Sequence, residues 1–424
     1  MKQLFNIDWF FHREPLETTI DTFFNTKDWE PVDIPHDWMI YDSKDLYAQG
    51  VSCYKKTFTV PTLGLDRLSI LFEGVYMDNE IYLNGEKIFT WPYGYSQFEI
   101  DLTSYVKEGE NTIWVKNTYE LPNSRWYPGS GIYRNVWLVR RPAVHFTTDG
   151  GYLSAKKEGD AFILHADYEI QNDTDSACEV TLCHTVLAPD GKVAGTSKET
   201  LTIPCGLTVN KQTMTFEAPL LWDIESPNLY TVHSEIIKDE TAIDSSDERF
   251  GFRTIAFDPD KGFFLNGRNV KINGSCEHHT LGALGAAINR EAVRRQLTIM
   301  QKMGVNAIRS AHNMPAPELM ELCDEMGLLL YTESFDMWEH CKTDYDYGNY
   351  FKDWWKTDLT SWVRQDRNHP SVFIWGIGNE IHDINFDRGL EVTKMLRDAV
   401  KELDYYGNAV IGMGSNIMGG EGAQ

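Results

Sequence analysis

Asn379 and Glu380 are the residues best placed to do chemistry, because they close the run Val372-Phe373-Ile374-Trp375-Gly376-Ile377-Gly378 abruptly. A buried strand that ends in an amide and a carboxylate delivers a hydrogen-bonding group and a proton-transfer group side by side. In a barrel of parallel strands, that C-terminal end is where sites are built. The plainer alternative is that Glu380 caps the following segment, since acidic residues favour the first turn of helices. Three other strand-like runs also end in polar groups: Cys276-Glu277-His278-His279, Arg309-Ser310-Ala311-His312-Asn313 and Glu333-Ser334-Phe335-Asp336-Met337-Trp338. One such cluster reads as loop hydrogen bonding. Four in register predict a common site.

The elements that must hold these residues alternate with helical and strand periods. Residues 291–303 carry apolar side chains at helical spacing (Val293, Leu297, Ile299, Met300), then Gly304 and the strand-like 305–309. Residues 318–326 followed by 328–331, and 354–364 followed by 372–375, repeat the unit. Pro370 stops the preceding helix. Strand and helix alternating with Gly or Pro at the joints predicts a parallel βα barrel, with strands near 270–272, 305–309, 328–331 and 372–375 and a fifth at 409–412. Upstream the period is that of strands. Residues 1–142 read as a jelly-roll sandwich, with an Asn84-Gly85 hairpin signal after Ile81-Tyr82-Leu83, and residues 143–257 as an immunoglobulin-like sandwich. The barrel falls to residues 258–424. A full eightfold barrel takes roughly 250 residues, so about half of one is expected, ending at the glycine-rich 419–424.

Composition narrows the partners. The 424 residues are 42% hydrophobic with a formal charge of −24, which argues against nucleic acid and anionic membranes. Thirteen Trp, 20 Tyr and 21 Phe suit sugar binding through ring faces, although sandwich cores use the same residues. Seven cysteines without a CxxC spacing read as reduced, unbridged and free of zinc. The first fifteen residues have no leader pattern, and no run reaches membrane-spanning length, so a cytoplasmic protein is expected.

The stretch Arg364-Gln365-Asp366-Arg367-Asn368-His369-Pro370 through Glu380 closely resembles the acid/base signature of glycoside hydrolase family two, the family of β-galactosidases, β-glucuronidases and β-mannosidases. The resemblance extends to Pro35-His36-Asp37-Trp38, to Gly74-Val75-Tyr76, to 304–313 and 333–338, and to Leu121-Pro122-Asn123-Ser124-Arg125-Trp126-Tyr127-Pro128-Gly129-Ser130-Gly131-Ile132-Tyr133-Arg134. That last segment looks like the family's loop from the sugar-binding sandwich to the active site. The resemblance is strongest to bacterial β-galactosidase-type members.

It implies a retaining exo-β-glycosidase acting on β-galactosides, with Glu380 as general acid/base and Asn379 on the sugar 2-hydroxyl. His312 and Asn313 would bind sugar hydroxyls, unless His312 is satisfied by backbone. Asp336 would supply a hydroxyl acceptor and Trp338 an aromatic platform, although a core tryptophan is an equal reading. Arg125 and Trp126 would close the pocket or serve only the domain interface. No cofactor is required. Magnesium near Glu380, held by Glu339 or His340, finds no support in their spacing.

Two departures stand out. Cys276 occupies a position where some β-galactosidases of the family carry a histidine. No segment matches the family's nucleophile motif, a glutamate on a late barrel strand, and Glu333 occupies a different position. A crippled enzyme is therefore expected. β-Glucuronidase and a non-catalytic carbohydrate-binding protein are the alternatives. An open half-barrel also predicts a homo-oligomer or an unstable last domain.

Overall fold

The computed structural model describes residues 1–415. The glycine-rich run 419–424 lies outside them. The first β unit is a sandwich of a four-stranded and a six-stranded antiparallel sheet, and the Asn84-Gly85 turn joins strands Asn79–Leu83 and Glu86–Trp91 as the sequence predicts. Its longest strands, Gly50–Val60 and Gly109–Tyr119, pair along their whole length. In Gly109–Tyr119 every second side chain is buried, the pattern of a strand with one face on a core.

The second unit packs three strands (Val144–Glu158, Ala161–Asn172, Gly206–Glu217) on four (Val193–Ile203, Cys178–Leu187, Tyr230–Lys238, Thr241–Phe250). Seven short antiparallel strands in two sheets make the immunoglobulin-like sandwich. A small three-stranded sheet, Ile255–Asp258, Gly262–Leu265 and Arg268–Asn269, leads into the barrel.

The barrel region is a five-stranded parallel sheet: Gly274–Glu277, Ala307–Ser310, Leu329–Glu333, Val372–Asn379 and Val410–Gly414. Helices Arg290–Lys302, Pro317–Met326, Gly348–Asp366 and Asp387–Leu403 connect them. Asn289 caps the first through its side chain, and Gly327 ends the second in the left-handed conformation at φ 71°. The first strand is not at 270–272, as its apolar pattern suggests. Val270 is buried with Trp222, Phe263 and Leu265 in a separate cluster, and pairing with Ala307 begins only at Gly274. All seven cysteines are unbridged, and no helix among the described residues is long and apolar enough to cross a membrane.

What positions the site is the seam between the first sandwich and the barrel. One apolar core crosses it, joining Tyr76, Tyr93, Tyr95 and Tyr133 to Phe335, Trp338 and Trp362. Arg134, 1% exposed, donates to the carbonyls of Tyr95 (2.8 Å), Met314 (2.7 Å) and Pro315 (3.2 Å), tying the sandwich to the barrel loop that follows His312. Asp37 holds the long loop 121–134 from below: it accepts from Ser130 N (3.1 Å), Tyr127 Oη (2.7 Å) and, across the seam, Ala286 N (2.8 Å). A Cβ at Gly129, where φ is 69°, would stand 2.4 Å from the Ala286 Cβ, so only glycine lets the loop lie this close.

Candidate active site

The fourth barrel strand, Val372–Asn379, is buried along nearly all its length and carries Asn379 to its last position. Gly376 allows this crowding, because a Cβ there would meet the Tyr331 ring at 2.4 Å and Glu333 Cγ at 2.7 Å. Asn379 N donates to Phe335 O (3.1 Å) and Glu380 N to Gly414 O (2.7 Å), so the chain turns between two neighbouring strand ends. Glu380 turns with φ at 48°, in the left-handed region that a non-glycine residue enters at a cost. Its carboxylate is part exposed at the mouth.

Asp336, 3% exposed, is the hub beneath it. It accepts from Arg125 Nε (3.1 Å) and Nη2 (2.6 Å), from Lys342 Nζ (2.9 Å) and from Asn379 Nδ2 (2.8 Å). Burial pushes its carboxyl pKa up, but Arg125, Lys342 and Asn379 together hold it below the usual range. Arg125 Nη1 also donates to Glu380 Oε2 (3.0 Å). One guanidinium from the first sandwich therefore spans two barrel carboxylates. Lys342, 3% exposed at its side chain, donates also to Asn379 O (2.8 Å), and burial pulls its pKa down against the attraction of Asp336.

A second hub is Glu333, which is fully buried. Its Oε1 accepts from Arg309 Nε (2.8 Å) and Nη2 (2.6 Å), and its Oε2 pairs with His312 Nδ1 (2.8 Å). With Nδ1 donating to that carboxylate, the imidazole is held in one orientation. Arg309 Nη2 reaches Asn379 Oδ1 (2.8 Å), linking the two hubs. Trp126 stands edge-on to His312 (centroids 5.7 Å) and lies 4.9 Å from His278, forming an aromatic wall. A cavity of about 20 Å³, room for one water, lies between this wall, Asp336 and Asn313. Asn313 is 3% exposed and its Nδ2 has no hydrogen-bond partner, so it retains a free donor.

Seven of the expected site residues, Arg125, Trp126, His312, Asn313, Asp336, Asn379 and Glu380, thus meet at one mouth. The eighth does not. Trp338 is fully buried and donates Nε1–H to Ile377 O (2.9 Å), so it is a core tryptophan beneath the site, and Trp126 presents the exposed ring face instead. Glu339 pairs with Arg388 and His340 with Asp383, away from Glu380. Among the described residues no group of three or more His, Cys, Asp or Glu sits close enough to hold a metal ion. Cys276 is exposed, 3.9 Å from Arg309 Nη1. Sequence reasoning missed Lys342 and the coupling role of Arg309. Lys342 lies in an irregular loop with no periodicity to betray it, whereas Arg309, a charged residue inside an apolar strand beside a strand-end Glu, carried a readable signal.

Strand-end carboxylates over a parallel sheet, closed by a loop from a β-sandwich, define a multidomain protein with one polar mouth at the seam between its domains. The comparisons agree. The descriptions "Glycosyl hydrolases family 2, sugar binding domain", "Glycosyl hydrolases family 2" and "Glycosyl hydrolases family 2, TIM barrel domain" match residues 27–142, 152–253 and 259–410. The chain belongs to glycoside hydrolase family 2. It is similar to the β-galactosidase BoGH2A of Bacteroides ovatus, 40% identical over 395 residues that cover 89% of this chain and 46% of the relative. A putative β-glucuronidase of Formosa agariphila is 34% identical, over 92% of this chain and 39% of its own length. Among solved structures, a family 2 member from Bacteroides cellulosilyticus superposes with a TM-score of 0.92 at 32% identity, covering 98% of this chain and 56% of the other. The chain spans about half the length of the relatives it matches.

Proposed function

We propose that this chain is the sugar-binding and acid/base portion of a retaining exo-β-glycosidase acting on terminal β-galactosides. The observation that carries the reading is Glu380, part exposed at a strand end, with Asn379 anchored beside it between Asp336 and Arg309. Glu380 donates a proton to the leaving oxygen and then activates water. Asn379 holds the 2-hydroxyl, a contact that strengthens as the ring approaches an oxocarbenium ion. His312 Nε2 and Asn313 Nδ2 bind further hydroxyls, Asp336 accepts from one, and Trp126 covers a ring face while Arg125 closes the mouth. Proton transfer by these groups needs no cofactor.

Charge favours a neutral sugar over a uronic acid. Among the described site residues each Arg or Lys already faces a carboxylate: Arg125 has Asp336 and Glu380, Lys342 has Asp336, and Arg309 has Glu333. None is left over for a sugar carboxylate. One observation favours a binding protein without turnover. A retaining mechanism needs a second carboxylate about 5–5.5 Å from the first, and Glu333 and Asp336 each have both oxygens engaged by hydrogen-bond partners.

Hydrolysis of aryl β-galactoside and aryl β-glucuronide, with binding of galactose measured in parallel, separates these readings. Galactoside turnover abolished in Glu380→Gln supports the enzyme. Turnover that survives the substitution, or preference for the glucuronide, defeats it. Galactose binding without turnover leaves the sugar-binding role.

A further inference from the structure

At the opposite end of the parallel sheet, where strands begin, a cavity of about 230 Å³ lies between the second sandwich and the barrel. Its walls come from the strand Val144–Glu158, from the link 250–255, and from the turns that precede the fourth and fifth barrel strands. Four cations line it: Lys156, Lys157, Arg253 and Arg367. Lys157 is exposed, and the other three are fixed by carbonyls. Lys156 Nζ donates to Gly407 O (3.3 Å), Arg253 Nη2 to Val372 O and to Asn408 O (3.1 Å), and Arg367 through Nη1 to Leu403 O (3.3 Å) and Nη2 to Asp149 O (3.0 Å).

Two guanidinium N–H groups are left over. Arg253 Nη1 and Arg367 Nε are buried with no hydrogen-bond partner, and Arg367 as a whole is only 5% exposed. Among the described residues no carboxylate oxygen forms an ion pair with Lys156, Arg253 or Arg367, although the charges of Asp404 and Glu169 reach Lys156 and Arg367. The acids whose charge reaches Arg253 are Asp324 and Asp404, and their oxygens are engaged elsewhere. Asp324 takes His369 Nδ1 (2.6 Å) and Ser371 N (3.0 Å). Asp404 takes Trp375 Nε1 (2.9 Å), Asn408 N (2.9 Å) and Ala409 N (3.2 Å). Burial lowers the pKa of Lys156, Arg253 and Arg367, that of Arg253 to about 10, and outweighs the attraction of Asp404 for Lys156 and Arg253, of Asp324 for Arg253 and of Glu169 for Arg367. A buried donor without a partner is costly, and a chain of net charge −24 has no general attraction for anions.

We propose that this pocket binds a tetrahedral oxyanion, a phosphate or sulfate group, free or carried on a small sugar. Guanidinium and ammonium groups lining one cavity are the donors such a group selects. Water occupies roughly 30 Å³ per molecule, so the volume takes the anion with room for a substituent. The site is at the end of the sheet remote from Glu380. An anion there would bridge the Val144–Glu158 strand to the barrel turns and so firm the docking of the second sandwich.

Isothermal titration of the full chain with sodium sulfate, sodium phosphate, galactose 6-sulfate and galactose, at fixed ionic strength set with chloride, tests this. The expected result is saturable one-site binding of the first three and no binding by galactose at this site when Glu380→Gln and Trp126→Ala block the sugar mouth. Tighter binding of galactose 6-sulfate than of sulfate would identify a sugar-borne anion, and equal binding a free one. Lys156→Gln, whose side chain is part exposed and leaves the fold intact, should weaken binding about tenfold, the size of one charge-assisted hydrogen bond. Lys87→Gln on the first sandwich should leave it unchanged. The proposal is overturned by heats equal to dilution at millimolar anion, by unchanged affinity in Lys156→Gln, or by equal losses in the two variants.

Discussion

The two β-sandwiches pack on the same five-stranded sheet but engage opposite ends of it. The first sends the irregular loop 121–134 to the strands' C-terminal ends, where Arg125 pairs with Asp336 and Glu380. The second meets the turns at the strands' beginnings. There Arg364 forks onto Glu169 (2.6 and 2.7 Å), Arg367 donates to Asp149 O, and Asn368 bonds Leu153 N and Gly151 O. At the first end Arg125, Lys342 and Arg309 each face an acid. At the second, Arg253 and Arg367 face carbonyls. The difference teaches that, under the proposed function, a domain gains a chemical role through one loop held against the barrel, while the other sandwich, bonded to the turns at the far end, serves as a strut.

Substitutions at the two ends should therefore separate reaction from stability. The largest effect is expected of Glu380→Gln, which should lower kcat on aryl β-galactoside by about 10²–10⁴-fold in the catalytically competent protein and leave the melting temperature in place. A large fall in melting temperature instead would recast Glu380 as structural. Asp336→Ala strands Arg125 and Lys342 without their shared acid. It should cost ~3–5 kcal/mol in denaturant unfolding and abolish galactose binding, and a mild loss would show that the two cations find other partners.

The third expectation concerns how the first sandwich docks. Asp358, fully buried, accepts from Ser96 Oγ of that sandwich (2.6 Å) and from Tyr347 Oη, and burial raises its pKa to about 7. The folded state thus keeps a proton that the unfolded chain releases near pH 4. The stabilisation is full below pH 4, is lost as pH rises toward 7, and stays lost above it. Asp358→Asn should flatten that slope and make the variant more stable than the parent at pH 8 by ~2–4 kcal/mol. Urea midpoints at pH 4.5 and 8 decide it, and parallel slopes in both proteins would refute it.

Smaller effects should sharpen the contrast. Trp126→Ala removes the ring beside His312 and should weaken galactose binding by ~1 kcal/mol, read by calorimetry, with unfolding unchanged. Arg364→Gln, at the strut, should do the reverse. Its pair with Glu169 is about one-fifth exposed on each side, so a loss of ~1 kcal/mol in stability is expected with galactose affinity intact. Altered affinity there would mean that the second sandwich does reach the site.

The same division explains what the sequence made legible. The helices Arg290–Lys302 and Pro317–Met326 declared themselves through apolar spacing and terminal glycines, and the sandwiches through alternation and the Asn84-Gly85 turn. The first barrel strand did not, because Gly274-Ser275-Cys276-Glu277 has no apolar pattern and is held by backbone pairing to its neighbour. The helix Gly348–Asp366 begins before its predicted start because Gly348 and Asn349 look like loop residues, while Asp346 caps Gly348 N (2.9 Å). At the site, Asn379, Glu380, His312 and Asp336 were readable as strand-end polar groups. Trp338 was not resolvable, since a tryptophan beside a site and one beneath it have the same sequence. The motif from Arg364 to Glu380 proves to be two devices. Arg364, Arg367 and Asn368 fasten the strut, and only Asn379 and Glu380 reach the mouth.

The backbone of Glu380 carries one more consequence. Its φ of 48° is a conformation that glycine adopts freely and asparagine tolerates, and that costs a glutamate about 1 kcal/mol. Under the proposed role, selection for the reaction and selection for the fold pull this position in opposite directions. In a lineage that kept the sugar pocket and abandoned hydrolysis, glycine or asparagine at 380 would be an early substitution, and the protein that inherited it would be firmer than its active ancestor.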